Sequence, residues 1–186
     1  MKTPPAPQTP ARRPHRGFTL VELLVVVGML AVLACFAVPS FADMLRRHQV
    51  DALKDRFIGS IQFAKFEALR LGQPIVLRRV EPCAEAPTRG DWLCGWRVFA
   101  DTNGNNQLDA DEAVLQEAPT PQRTVLRKAG VVNPSAIALD RYGQVTQAGT
   151  RMEIYPAGDD FSRVDGLLIC FPTGSRIRTE RAASKC

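Results

Sequence analysis

Oxygen-bearing side chains recur between Asp101 and Glu112 at the spacing of a calcium-binding loop. Asp101, Asn103, Asn105, Asp109 and Glu112 fall at loop positions one, three, five, nine and twelve. Carboxylate and amide oxygens at those positions hold calcium in an EF-hand-like loop. Asn106 stands at the turn position, and asparagine tolerates the left-handed backbone needed there. No helical pattern precedes the loop, because Trp96–Ala100 reads as a strand. The same residues therefore also fit a hairpin loop whose Asx side chains bond their own backbone. Calcium at this loop is the only cofactor the sequence suggests.

A second candidate chemistry lies in the tail, which reads GSRIRTERAASKC from Gly174. Arg176, Arg178, Arg181 and Lys185 face a single acid, Glu180. Arg176 and Arg178 are two apart, so on a strand they point to one side with Ile177 on the other. Such cations can hold the phosphates of double-stranded DNA, and so few contacts make binding weak, non-specific and salt-dependent. The competing reading is an edge strand whose charges block sheet-to-sheet aggregation.

The cysteines point to disulfides. Cys83, Cys94, Cys170 and Cys186 form an even set outside the apolar N-terminal run, as expected in an oxidising compartment such as a bacterial periplasm. Three pairings exist, and the local ones, Cys83–Cys94 and Cys170–Cys186, are favoured. Each closes a short loop, worth about 3 kcal/mol on the chain-entropy model. The second would fold the tail back and concentrate its cations on one edge. A tetrathiolate metal site competes, but no C-x-x-C knuckle occurs. Cys35 sits within the apolar run and reads as a small apolar residue. Catalysis is not expected. The histidines are His15 and His48, so the region after residue 72 has none for a Ser-His or Cys-His pair. Asp159-Asp160 reads as a solvated turn.

Long elements must position these groups. From Phe18 to Phe41 the chain is apolar except for Glu22, and no further charge appears until Asp43. That run reaches the ~20 residues needed to span a membrane. A carboxylate inside it costs roughly 2.5–3.5 kcal/mol on insertion scales, so it implies a functional partner. A plain secretory signal is shorter and lacks such an acid. A lipoprotein signal at Val32-Leu33-Ala34-Cys35 fits poorly, and a simple anchor explains neither Glu22 nor the Gly17-Phe18 junction. The cations Arg46, Arg47, Lys54 and Arg56 beyond the run leave its orientation undecided by charge.

Leu53, Phe57, Ile61, Ala64, Ala68 and Leu71 then define one helical face opposite Lys54, Arg56, Lys65 and Arg70, with Gly72 and Pro74 as stop signals. Strand patterns follow at Ile75–Arg79, Cys94–Phe99, Ala113–Gln116, Thr124–Arg127, Ala136–Leu139, Arg151–Tyr155, Leu167–Phe171 and Arg176–Arg178. Arg141-Tyr142-Gly143-Gln144 reads as a hairpin turn. The expected fold is α+β, a long helix followed by antiparallel strands. The net charge of +5 is misleading. Lys2, Arg12, Arg13 and Arg16 lie before Gly17 in a proline-rich, acid-free segment expected to be disordered. Beyond Gly17 remain 20 basic and 19 acidic residues. That balance disfavours a globally basic nucleic-acid binder and leaves room only for a local patch.

The order Arg16-Gly17-Phe18-Thr19-Leu20-Val21-Glu22, followed by an apolar helix, resembles the signal of type IV pilins and pseudopilins. The helix text from Phe57 to Gly72, the segment Gly95-Trp96-Arg97-Val98-Phe99-Ala100-Asp101 and Thr173–Arg178 resemble the GspH/FimT branch of minor pilins and pseudopilins. This resemblance implies cleavage by a prepilin peptidase between Gly17 and Phe18, N-methylation of Phe18, and Glu22 as the acid that registers subunits in a filament. It divides the chain into a leader (1–17), a transmembrane and filament-core helix (18–42), an amphipathic soluble helix (43–72) and a periplasmic β domain (73–186). In this family a proline near Pro39 kinks or locally melts the helix. The implied partners are other minor and major pilins or pseudopilins and an inner-membrane assembly platform. The implied function is that of a low-copy structural subunit of a type IV pilus or a type II secretion pseudopilus. Some members bind DNA during natural uptake through a C-terminal G-R-x-R motif. Here the text is G-S-R-I-R, with Ser175 inserted, and the alternative is a secretion pseudopilin that binds no DNA.

Overall fold

The structure is a computed structural model. It describes residues 19–129, 133–147, 149–159, 161, 166–172 and 176–181, with the backbone alone for 35–40. Helix α1 runs Leu20–Leu71. Thr19 starts it: its hydroxyl accepts the Glu22 N–H at 3.2 Å and its carbonyl accepts the Leu23 N–H at 3.2 Å. Thr-x-x-Glu is the sequence of a capping box, and it satisfies donors that the first turn cannot. The helix ends at Gly72, whose φ of 65° and N–H bond to the Ala68 carbonyl (2.9 Å) form a left-handed C-terminal cap. Residues 35–40 are helical, so Pro39 does not melt the helix.

The chain forms two compact units, residues 1–42 and 43–186. In the first, every large apolar side chain from Leu20 to Leu33 is exposed. In the second, Val50, Leu53, Phe57, Ile61, Ala64 and Ala68 make a fully buried helical stripe. Leu71, which the periodicity assigned to that stripe, is 36% exposed at the last turn, while Val50 extends the stripe at its other end.

Two antiparallel sheets complete the second unit. Strands β1 (Ile75–Arg79), β2 (Trp96–Ala100), β3 (Val114–Ala118) and β5 (Ala136–Leu139) form one sheet, in the order β3-β2-β1-β5. Strands β4 (Thr124–Ala129), β6 (Thr150–Pro156), β7 (Leu167–Phe171) and β8 (Arg178–Arg181) form the other, in the order β4-β6-β7-β8. Alternation along the strands sends Ile75 and Leu77, Trp96 and Val98, Met152 and Ile154, and Ile169 and Phe171 into one core with the helix stripe. Phe57 meets Trp92 and Trp96 edge-on, with centroids 5.9 and 5.2 Å apart. Gly95 lets the chain enter β2 close against the end of β3: its φ is +97°, and a Cβ there would lie 2.2 Å from the Ala118 carbonyl oxygen.

Segment 90–92 runs beside β4. The Trp92 N–H donates to the Leu126 carbonyl and the Lys128 N–H to the Gly90 carbonyl, both at 2.8 Å. That edge of the second sheet is thereby covered, and β8 is the edge on the other side. On the outer face of the first sheet, Val76, Phe99 and Ala136 form a second small cluster with Leu108 and Ala138 against it.

Candidate functional site

Glu22 occupies the third helical position, held by the Thr19 cap and surrounded by the exposed side chains of Leu20, Val21, Leu23 and Leu24. A carboxylate in the first turn is favoured by the helix dipole. Gly17 and Phe18 lie outside the described residues. Among the described residues, no helix is long and apolar enough to cross a membrane. The expected span from Phe18 to Ala42 includes Phe18 and the side chains of 35–40, which lie outside them.

The tail differs from its expected form. Strand β8 begins at Arg178, two residues after the expected start at Arg176, so Arg176 precedes it. Pairing with β7 fixes this register, Cys170↔Arg178 through Leu167↔Arg181. Arg176 and Arg178 are both exposed, and Ile177 between them packs on the core. Along β8 itself, Arg178 shares its face with Glu180, so an acid interrupts the cation row. Arg181 is exposed and already engaged. Lys185 and Cys186 lie outside the described residues. Cys83 and Cys94 are joined by a disulfide across the connection from β1 to β2, and Cys170 is also disulfide-bonded.

In the Asp101–Glu112 loop the acceptors are taken by the loop's own donors. Buried Asp101 accepts the N–H groups of Gly104 (2.9 Å), Asn105 (3.2 Å) and Asn106 (3.0 Å). Asn103 Oδ1 accepts the Asn105 N–H, and Asn105 Oδ1 accepts the Gln107 N–H. Both asparagines donate their amides to Asp109 at 2.7 Å. Glu112 accepts the Thr102 N–H at 2.8 Å and the Asp109 N–H at 3.2 Å. Asn106 has a φ of 59°, which turns the chain. The Asx side chains of this segment thus bond their own backbone. Among the described residues, the cluster with metal-ligand spacing is Cys83, Glu85 and Cys94, whose thiols are consumed by the disulfide.

Two buried polar groups were not expected from the sequence. Asp91, 1% exposed, accepts Arg127 Nε at 2.6 Å and the Thr88 N–H and hydroxyl. The hydrogen bond to Asp91 raises the Arg127 pKa further. Lys128 is 3% exposed, and its ammonium donates to the Asn133 carbonyl (2.7 Å), the Gln147 side chain (2.8 Å) and the Ala136 carbonyl. Burial pushes its pKa down to about 8. A signal was available in the strand alternation, since Thr124, Leu126 and Lys128 share the inward face of β4.

The outer face of the first sheet carries a cavity of about 230 Å³ lined by Arg78, Arg79, Glu81, Arg97, Phe99, Gln107 and Leu108. Arg78 donates to Glu81 (2.6 Å) and to the Asn106 carbonyl (2.9 Å). Arg79 donates to Glu81 (2.6 Å) and to the Asp91 carbonyl (3.2 Å), and Arg97 to Glu117 (3.0 Å). Burial would raise the Glu81 pKa, but hydrogen bonds from Arg79 and Arg78 outweigh it and hold the carboxyl below its ordinary value.

A long N-terminal helix carrying antiparallel sheets is the architecture of type IV pilin-like proteins. The crystal structure of the type IV minor pilin FimU of Pseudomonas aeruginosa superposes with a TM-score of 0.57 at 14% identity, covering 77% of this chain and 96% of FimU. A type IV major fimbrial protein FimA of Dichelobacter nodosus is 40% identical over 58 residues, which are 27% of this chain and 36% of that protein's length. Another FimA from that organism is 25% identical over 132 residues, covering 70% of this chain and 69% of FimA. The prokaryotic N-terminal methylation motif matches residues 12–37, and the model of the type II transport protein GspH matches residues 55–167. The chain belongs to the GspH family. It is a family of structural pilins and pseudopilins.

Proposed function

We propose that the chain is a low-copy subunit of a type IV pilus or a type II secretion pseudopilus. It is cut by a prepilin peptidase between Gly17 and Phe18 and methylated on Phe18. Residues 18–42 hold it in the bacterial inner membrane, with residues 73–186 in the periplasm, until an assembly platform inserts it among other minor and major subunits. The observation that carries this reading is the lone carboxylate Glu22, capped by Thr19 at the start of a helix whose large apolar side chains from Leu20 to Leu33 are all exposed. Desolvated in a filament core, that carboxylate needs an opposite charge. The methylated amine of Phe18, its own or a neighbour's, supplies one. Glu22→Ala should insert and be processed but fail to enter filaments, and normal incorporation would refute the pairing. A Gly17 substitution should leave the longer precursor uncut, visible as a larger band on a gel. Loss of twitching or transformation in a deletion strain assigns the pilus, and loss of exoprotein secretion assigns the pseudopilus.

The exposed pair Arg176 and Arg178 on the β8 edge favours a second role, weak binding of double-stranded DNA. Mobility shifts with the full chain in non-ionic detergent test it. Binding should be lost in the Arg176→Ala, Arg178→Ala double variant at unchanged melting temperature, and should weaken steeply with salt. Unaltered binding in that variant would place the contacts elsewhere. No binding at low salt would leave only the structural role.

A further inference from the structure

We propose that the cavity on the outer face of the first sheet is a carboxylate-binding site, filled by an acidic side chain or chain end of a polypeptide. Three guanidiniums converge there, from Arg78, Arg79 and Arg97, while the lining contains one acid, Glu81. The side chains of Arg78 and Arg79 are only 22% and 11% exposed, so both charges are largely withdrawn from water. Glu81 bridges these two. Arg97 is bound by Glu117, which lies outside the lining and is itself half exposed. The donors of Arg97 used in that pair are Nε and Nη2, which leaves Nη1 for another oxygen. Charge-assisted bonds from a guanidinium fork suit a planar carboxylate.

The floor is apolar. Phe99 is fully buried beneath the cavity and Leu108 closes one side, with the Gln107 amide beside it. The volume of about 230 Å³ is enough for one side chain and less than a cofactor needs. The Asp101–Glu112 loop builds this wall. Asp101 ties down residues 104–106, and the Asn106 carbonyl accepts Arg78, so Gln107 and Leu108 are fixed over the sheet. A nucleic-acid backbone fits less well. Its charges follow one another every ~1.7 Å of duplex axis, and they would meet Glu81 and Glu117 around the cavity and Asp109 and Asp111 in the loop. An isolated carboxylate meets three arginines and one acid, Glu81, which is already bonded to two of them.

The test uses the full chain, ¹⁵N-labelled, in non-ionic detergent at low salt. The probes are N-acetyl-leucine, N-acetyl-leucinamide and inorganic phosphate, followed through the arginine Nε–H resonances. N-acetyl-leucine should shift Arg78, Arg79 and Arg97 saturably, with a Kd on the order of 1 mM. The amide should bind roughly tenfold more weakly, because it lacks the charge. Arg97→Gln should weaken the acid by a similar factor, and Arg151→Gln, a surface arginine of β6, should leave it unchanged. Glu117→Gln, which frees Arg97 without removing any lining residue, should tighten binding roughly threefold, the scale of an exposed ion pair. Equal binding of acid and amide, indifference to both Arg97→Gln and Glu117→Gln, or no saturable shift would overturn the proposal. So would phosphate binding as tightly as the acid, which would mark a general anion site.

Discussion

The two halves of helix α1 are built for different surroundings. From Leu20 to Leu33 the apolar side chains point in every direction and all are exposed. From Val50 to Ala68 they keep to one stripe at steps of three and four, and that stripe is fully buried under two sheets. A helix that is apolar all round needs an apolar environment on every side, whereas an amphipathic one finishes its packing within its own domain. The second half does leave Phe66 and Leu69 exposed, but among charged neighbours. One continuous element thus contributes its stabilisation in two places, and single substitutions can separate them. Phe57→Ala should destabilise residues 43–186 by about 3–5 kcal/mol, because it removes the ring between Trp92 and Trp96. Leu24→Ala should change the same melting transition by less than about 0.5 kcal/mol. Thermal unfolding of both variants in detergent measures the contrast, and equal losses would break it.

Much of this division was legible in the sequence because both periodicities are local. The step pattern from Leu53 to Ala68 requires only that one face be apolar, and the strands Ile75–Arg79, Ala136–Leu139 and Leu167–Phe171 fall where alternation and turn residues put them. What stayed hidden depends on pairing between distant segments. The start of β8 at Arg178 is set by its register with β7, which no local pattern encodes. The cover over β4 comes from residues 90–92, which lie in an irregular segment. The arginine cavity was likewise invisible, since Arg78, Arg97 and Leu108 meet only when β1, β2 and a loop come together. Glu22 was the reverse case: the charge stands out in its run, and the partner proposed for it, the Phe18 amine, lies outside the described residues.

Lys128 sharpens the comparison from the opposite side. Glu22 is a lone charge on an exposed apolar helix, and Lys128 is a lone charge inside the folded domain, supplied with three oxygen acceptors. Burial lowers its pKa to about 8, below the unfolded value. Below pH 8 both states carry the proton, and the folded state bears the full cost of the buried charge. Between pH 8 and about 10.5 the unfolded chain binds more protons, so this group's contribution to stability rises with pH. The gain is at most roughly 3 kcal/mol, since the three acceptors favour the ammonium and reduce it. Lys128→Met should lack this rise. Denaturant unfolding of both proteins at pH 7.5 and pH 10 measures the difference, and identical slopes would show that Lys128 does not titrate in this range.

The smallest effect is expected at the acids of the Asp101–Glu112 loop, whose charges are met by the loop's own donors. Asp101 and Glu112 are buried, yet each carboxylate accepts backbone N–H groups, and Asp109 accepts two side-chain amides. Calcium coordination needs six to eight oxygens at about 2.3–2.6 Å around one point. Asp101 can keep its bonds to residues 104–106 while coordinating, because each carboxylate oxygen has two lone pairs. The asparagine amides, however, present their nitrogens to Asp109 and would have to turn away from it. Turning those exposed amides gives up two bonds of about 0.5–1.5 kcal/mol each and disturbs the loop that sets Leu108 against Phe99. Millimolar calcium should therefore leave the melting temperature unchanged and give no heat of binding by calorimetry. Asp101→Asn should lower the melting temperature whether or not calcium is present, because it weakens the bonds that hold the turn. A calcium-dependent rise that disappears in Asp101→Asn would show that the ion can displace the loop's own donors.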